Sequence, residues 1–330
     1  MRKNKVLVGL SLLALSLSLV GCRKSSAGNN QQAYMSAASN SKIVDKNTNS
    51  GGSQNFGGIT NSEYSKLANE TFKSGTYGYI EVNNGHSTLN PTSWQQNKVI
   101  YQKLDRYNRA SSSNTAFLEK RNLANDSLRV RQTVQPTGWH YNTRNGEQLY
   151  NRGHLIAYSV SAGIDQNGEY NPNNVSGDQN NPKNLFTQSA YSNQQLQTIY
   201  ESKIRKALRA NKKVIFQATP IFKGNEKMAR GINLQAISTD KTLDFNVYIF
   251  NIQPNYAFDY ATGGAKKDNS VQVKELPTSL QSHYNDNQKN SQSNYSKARS
   301  SRSFGHYLNR ESRRYWSWYN IYQRRLHQLH

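Results

Sequence analysis

A chain of 330 residues with a formal charge of +22 is too basic to favour cationic partners; it points to polyanions, nucleic acid first, then anionic lipid or wall polymers. Only 35% of the residues are hydrophobic, which excludes a core running the whole length and leaves one core-bearing domain with long polar extensions. A single cysteine excludes an internal disulfide, so the folded part must be stable without one.

The chain opens with Arg2, Lys3 and Lys5, followed by an apolar run from Val6 to Val20 with serines in it. That run is short for a spanning helix and suits the apolar region of a signal peptide; no other stretch is apolar enough to span a bilayer. It ends in Leu19-Val20-Gly21-Cys22, which resembles the lipobox of bacterial lipoproteins. The resemblance implies removal of residues 1–21, lipidation of Cys22 and display on the extracellular face of the cell membrane, with release from the cell as a variant. An ordinary cleaved signal with an incidental cysteine is the competing reading. Residues 22–72 are rich in Ser, Asn, Gly, Gln and Ala, and read as a flexible low-complexity tether.

The pattern predicts a first strand over Tyr77–Val82, with a turn at Asn83-Asn84-Gly85. Residues 99–124 carry apolar positions at mixed spacing and read as a loop-plus-helix layer. Leu149 and Tyr150, then Leu155 and Ile156, flank the polar insert Asn151-Arg152-Gly153-His154, which predicts a strand with a sharp polar break. Residues 163–184 read as a long loop, and a 3.6-residue stripe through Leu196, Ile199, Ile204 and Leu208 predicts a helix over 189–210. Strands are predicted at Val214–Phe222, Ile232–Ser238 and Leu243–Ile252. That order indicates an α+β domain, set over residues 73–265. Residues 266–330 form a polar, then basic and aromatic, tail in which Arg310, Arg313 and Arg314 stand among Tyr307, Tyr315, Trp316 and Trp318. Such interleaving suits nucleic-acid strands and anionic lipid or wall equally.

His154 titrates near neutrality when unperturbed, and so can accept a proton; Arg152 supplies a forked cation suited to phosphate. Downstream stand Asn180, Asn184, Gln188, Asn193, Glu201 and Arg205. In a helix starting near Ser189, Asn193, Glu201 and Arg205 share one flank, with Arg205 the i,i+4 partner of Glu201. Read alone, His154 could be a hydrogen-bonded structural residue, Glu201 and Arg205 a surface ion pair, and the asparagines loop residues.

Asn151-Arg152-Gly153-His154 resembles the D-R-G-H signature of the DNA/RNA non-specific endonucleases, and the spacing N-x3-N-x3-Q-x4-N-x7-E-x3-R is matched in full by the six downstream residues. Gly231 and Asp259-Tyr260-Ala261-Thr262-Gly263 are similar to the closing segment of Gram-positive members. The resemblance covers roughly residues 75–265 and implies a ββα-metal (His-Me finger) nuclease core, with a central antiparallel sheet flanked by helices and long loops. It implies His154 as general base, Asn193 as the sole direct ligand of one Mg2+, and Glu201 orienting the metal's waters. Mn2+ or another divalent ion can substitute in such a site. Arg152 and Arg205 are then expected to steady the charged transition state, while Asn151, Asn180, Asn184 and Gln188 shape the cleft. The implied substrate is double- or single-stranded DNA, with RNA as a further candidate, cut to 5′-phosphate ends without an obligate protein partner.

Two points depart from the pattern or stay open. Asn151 stands where the family usually has aspartate; if that charge only positions the arginine, activity should survive the amide. An upstream family arginine is also expected, and Arg109, Arg129 and Arg131 compete for it. The reading from a different class is a catalytically inactive surface lipoprotein that captures DNA through its basic surface.

Overall fold

The computed structural model describes residues 56–124, 129–141, 143–144, 146–174 and 176–281. The signal segment, Cys22 and the basic-aromatic stretch past residue 299 lie outside the described residues. Besides short 3-10 turns, the elements in chain order are α1 (Asn61–Asn69), β1 (Tyr79–Glu81), β2 (Lys98–Ile100), β3 (Asn114–Leu118), β4 (Thr143–Arg144) and β5 (Glu147–Gln148). They continue with β6 (Tyr150–His154), β7 (Leu185–Ser189), α2 (Thr198–Arg209), β8 (Val214–Ile221), β9 (Gly231–Ser238), β10 (Asp244–Phe250), β11 (Tyr256–Asp259) and β12 (Gly264–Lys267).

Six strands form a central antiparallel sheet in the order β1-β10-β9-β8-β3-β2. Its three long strands, β8, β9 and β10, coincide closely with the three predicted from alternation. Val214, Phe216 and Ala218 share one face of β8 and meet Ile199, Ile204, Ala207 and Leu208 of α2 in the main core. Register brings Phe216 opposite Ala236 and Ala236 opposite Phe245, so large and small side chains alternate across the sheet. Each fully buried large apolar side chain contributes roughly 1.5–3 kcal/mol. The other face packs Ile215 and Ile237 against Phe56, Leu89 and Phe117. Buried Gln217 and Gln235 also sit in the sheet; Gln217 Oε1 accepts from the Ile59 backbone at 3.2 Å and Gln235 Oε1 from that of Thr88 at 2.9 Å. These bonds anchor the incoming N-terminal segment on the sheet.

Three expectations change here. The tether set at 22–72 gives way to structure well before residue 72: α1 buries Leu67 and Ala68 against Ile221, Tyr248 and Phe250, and Thr60 caps it by accepting from the Glu63 backbone. The loop-plus-helix layer at 99–124 is a pair of strands, because Asn114 and Thr115 pair with Ala218 and Gln217 and carry Phe117 and Leu118 into the sheet. The ordered body also passes residue 265: Gln272 accepts from the Gly75 backbone, the Lys274 backbone donates to Thr76, and Leu276 and Leu280 pack on the core.

The remaining unit lies beside the sheet. Strands β6 and β7 pair antiparallel, with Asn151 opposite Gln188 and His154 opposite Leu185. The helix expected over 189–210 is helical from residue 190, directly after β7 ends at Ser189, to Arg209; its first part, Ser192–Gln197, is a π turn that runs into α2. Such turns recur at functional sites. Two strands and a helix thus carry every residue singled out from Asn151 to Arg205 except Asn180 and Asn184, which lie in the connection between the strands.

Candidate active site

Backbone crowding explains the glycine between Arg152 and His154. A Cβ on Gly153 would lie 2.2 Å from Gln188 Oε1 and 2.8 Å from Gln188 Cβ, so glycine leaves room for the Gln188 side chain to cross the hairpin. Gln188 is fully buried there.

His154 ends β6 half-buried. Its Nε2 lies 3.1 Å from the Gln179 carbonyl, which can only accept, so Nε2 carries the proton and Nδ1 the lone pair. The Gln132 side-chain nitrogen, a donor like the protonated Nε2 3.3 Å away, directs its protons to the Arg152 and Gln179 carbonyls at 3.4 and 3.5 Å. Burial pushes the imidazole from its usual 6.5 down to about 4; the Gln179 carbonyl works against this and the Arg129 cation adds to it. The ring is therefore neutral at physiological pH, with its lone pair on Nδ1.

The three upstream arginines separate cleanly. Arg109 is buried, and its guanidinium is held by Asp105 at 2.7 Å and by the carbonyls of Gly224 and Glu226, which makes it a structural staple. Arg129 is the one whose charge is felt by His154, and its guanidinium lies 5.3 Å from the Tyr158 ring centre. The Arg131 carbonyl accepts from Asn180, whose oxygen in turn accepts from the Thr133 backbone at 2.9 Å. Asn180 thus pins the segment that brings Gln132 onto the histidine. Arg152 donates from Nε to the Val134 carbonyl at 2.5 Å and stacks 4.3 Å from the Trp139 ring centre, which fixes its direction.

Asn184 departs from its expected place in the cleft. It is fully buried, and its amide clamps the Ile156 backbone through both ends, at 2.9 and 3.0 Å. Its work is to hold the chain leaving His154. Arg205 is the i,i+4 partner of Glu201 that the spacing predicts, 3.6 Å away with only 13% of either side chain of the pair exposed, and it also donates to Ser159 Oγ at 2.7 Å. It therefore fixes the Glu201 carboxylate.

Asn151, Asn193, Gln188 and Glu201 do come together, through a residue that the sequence reading missed. Asn151 Nδ2 donates to Asn193 Oδ1 at 2.9 Å, and Asn193 Nδ2 donates to Gln188 Oε1 at 2.8 Å. Gln188 Nε2 donates to Gln197 Oε1 at 3.0 Å, and Gln197 Nε2 donates to Glu201 Oε1 at 2.9 Å and to the His154 carbonyl at 2.8 Å. Gln197 stands four residues after Asn193 and four before Glu201, a spacing that could have exposed it. The Asn151 amide, bonded to Gln148 and Asn193, is thus engaged with the helix, while Arg152 takes its direction from Val134 and Trp139.

Among the described residues no three His, Cys, Asp or Glu gather to hold a metal. The donors present are one amide oxygen and one carboxylate, and both are hard oxygen ligands. Such a set fits a strongly hydrated cation of the Mg2+ type, which keeps most of its water and needs few protein oxygens.

An antiparallel sheet and a ββα unit in which the His154 carbonyl is bonded to an amide-carboxylate cluster define a nuclease of the ββα type. Residues 87–240 match the model of the DNA/RNA non-specific endonuclease family. The crystal structure of NucA from Streptococcus agalactiae with magnesium bound is 30% identical, covers 63% of this chain and 97% of its own, and superposes with a TM-score of 0.50. The metal-free NucA crystal structure from the same organism is 32% identical, with 62% and 96% covered and a TM-score of 0.49. The chain belongs to the DNA/RNA non-specific endonuclease family. It is a nuclease, a hydrolase acting on nucleic acid.

Proposed function

We propose that the chain is an exported, Mg2+-dependent endonuclease that cuts DNA, and RNA where it meets it, without sequence preference. The observation that carries this reading is the His154 imidazole, tied at Nε2 to the Gln179 carbonyl, with its own carbonyl bonded to Gln197 of the Asn193–Glu201 cluster. The base and the oxygen donors are thereby parts of one hydrogen-bonded unit.

In this mechanism Nδ1 of His154 removes a proton from the attacking water. An arriving phosphodiester brings negative charge that favours the imidazolium, offsetting the effect of burial. Arg152, held by Val134 and Trp139, and Arg129, whose charge reaches His154, supply fixed positive charge to the non-bridging oxygens. Asn193 Oδ1, with Glu201 acting through water, would hold Mg2+, which supplies charge neutralisation at the phosphate and at the leaving 3′-oxygen. Contacts confined to the phosphate backbone carry no sequence information, hence the lack of base preference.

The leader places this activity. Residues 1–21 serve as a lipoprotein signal, Cys22 as the lipid anchor, and the polar segment after it as a spacer between membrane and enzyme. Display at the outer face of the membrane follows, with the basic, aromatic C-terminal stretch as an additional polyanion contact.

Plasmid cleavage with Mg2+, and again with EDTA, tests the reading. Loss of cleavage in EDTA and in Asn193→Ala, with cut ends that ligate without prior phosphorylation, supports it. Full cleavage in the presence of chelator removes the metal, and ends that require phosphorylation remove the proposed polarity.

A further inference from the structure

The Asn193 amide has two ends, and only the oxygen can bind a cation. Free rotation would present nitrogen about as readily as oxygen. We propose that Gln197, acting through Gln188, is a positioning residue that fixes the Asn193 amide with Oδ1 toward the metal. This proposal rests on Asn193 being the metal ligand.

The argument starts from groups that can only accept. The Glu201 carboxylate and the His154 main-chain carbonyl lie 2.9 and 2.8 Å from one atom of the Gln197 amide. That atom must be the nitrogen, and its two protons are then both used. Gln197 Oε1 is left to face Gln188, so Gln188 must present its nitrogen at 3.0 Å. Gln188 Oε1 then faces Asn193, which must present Nδ2 at 2.8 Å, and this turns Oδ1 away from Gln188, to the side where Asn151 Nδ2 lies 2.9 Å from it. Gln188 and Gln197 are both almost wholly buried, so water cannot satisfy a flipped amide, and each flip would set two like groups against each other. Polarity therefore runs from the acceptors to the metal ligand.

The same logic explains Asn151. Because Oδ1 of Asn193 points toward it, position 151 faces an oxygen at 2.9 Å, and only a donor is comfortable there in the absence of a cation. Asn151 Nδ2 supplies that donor.

The test counts bound Mn2+ by electron paramagnetic resonance on the full chain, so it does not depend on turnover. Gln197→Met keeps length and volume but removes the amide, and is expected to weaken Mn2+ binding by about 10-fold or more, in the range seen when groups supporting a metal ligand are lost. Asn193→Asp has two equivalent oxygens and needs no orientation. In that background Gln197→Met should change Mn2+ affinity by less than about threefold, because Gln188 becomes free to turn its nitrogen to the carboxylate. Equal weakening in both backgrounds would mean a merely structural role and overturn the proposal, as would unchanged affinity in Gln197→Met. Should Gln197→Met fail to fold, Gln188→Met breaks the same chain one bond closer and is read identically. Asn193→Ala separates the two claims: if it leaves Mn2+ binding intact, the ligand assignment fails, whereas its loss of binding alongside an unaffected Gln197→Met sinks the relay alone.

Discussion

The central sheet and the ββα unit are built on opposite principles. In β8, β9 and β10 nearly every residue is buried, and most of the contact is non-directional packing of Val, Ile, Leu and Phe. β6, β7 and the helix entry also bury Tyr150, Leu185, Phe186 and Leu196, but beside these they carry a run of amides ending on a carboxylate, each held by a bond with a definite donor and acceptor. Packing tolerates exchange of one apolar residue for another of similar volume. A chain of polarised bonds does not tolerate loss of a single link. The sheet is thus a platform of high tolerance, carrying a site of low tolerance.

The comparison can be broken first on the sheet. Phe216→Ala removes a fully buried ring at the centre of the platform and is expected to cost about 3–5 kcal/mol in denaturant unfolding. Phe216→Leu should cost much less, in keeping with tolerance there.

On the site, acid should act where it leaves the platform alone. Folding lowers the His154 pKa from 6.5 to about 4, so the unfolded chain binds more protons between those values. Stability is therefore full above pH 6.5, falls as pH drops toward 4, and loses on the order of 2–3 kcal/mol over that window. Chemical denaturation of parent and His154→Ala at a series of pH values checks this: the variant should lack that part of the slope.

Gly153→Ala sharpens the contrast further. Its methyl would strike the Gln188 side chain, so roughly 1–3 kcal/mol of stability should be lost, accompanied by weaker divalent-cation binding as Gln188 is displaced. The smallest effect belongs to the N-terminal edge. Thr60→Ala removes the cap on α1 and should cost about 1 kcal/mol, measurable by thermal unfolding, with cleavage unchanged.

The same contrast governs what could be read in the sequence. Alternation of large apolar residues marked β8, β9 and β10, because burial on a sheet leaves a period of two. The strands at Lys98–Ile100 and Asn114–Leu118 were hidden, since Asn114 and Thr115 are buried polar residues whose partners lie about a hundred positions away in β8. Helix α1 was hidden by composition: Leu67 is one large buried residue in a polar stretch, although Thr60 and Glu63 carry the spacing of an N-cap. At the site, spacing and resemblance picked out His154, Asn193 and Glu201, and the structure joins them. It places Asn184 in the interior and keeps Arg205 on Glu201, as their i,i+4 spacing predicts. Gln197 stands at the i,i+4 spacing between Asn193 and Glu201, but spacing alone did not single it out, because a buried, fully bonded glutamine and a solvated one look alike on a helix.

Cleavage by His154→Ala is the most direct test of the central claim, which is that a neutral imidazole on β6 activates water beside a helix-borne oxygen donor. With saturating Mg2+ and plasmid DNA, the variant should cleave about 10²–10⁴-fold more slowly than the parent while retaining salt-sensitive DNA binding and a folded sheet. A folded His154→Ala that cleaves at the parent's rate would contradict it.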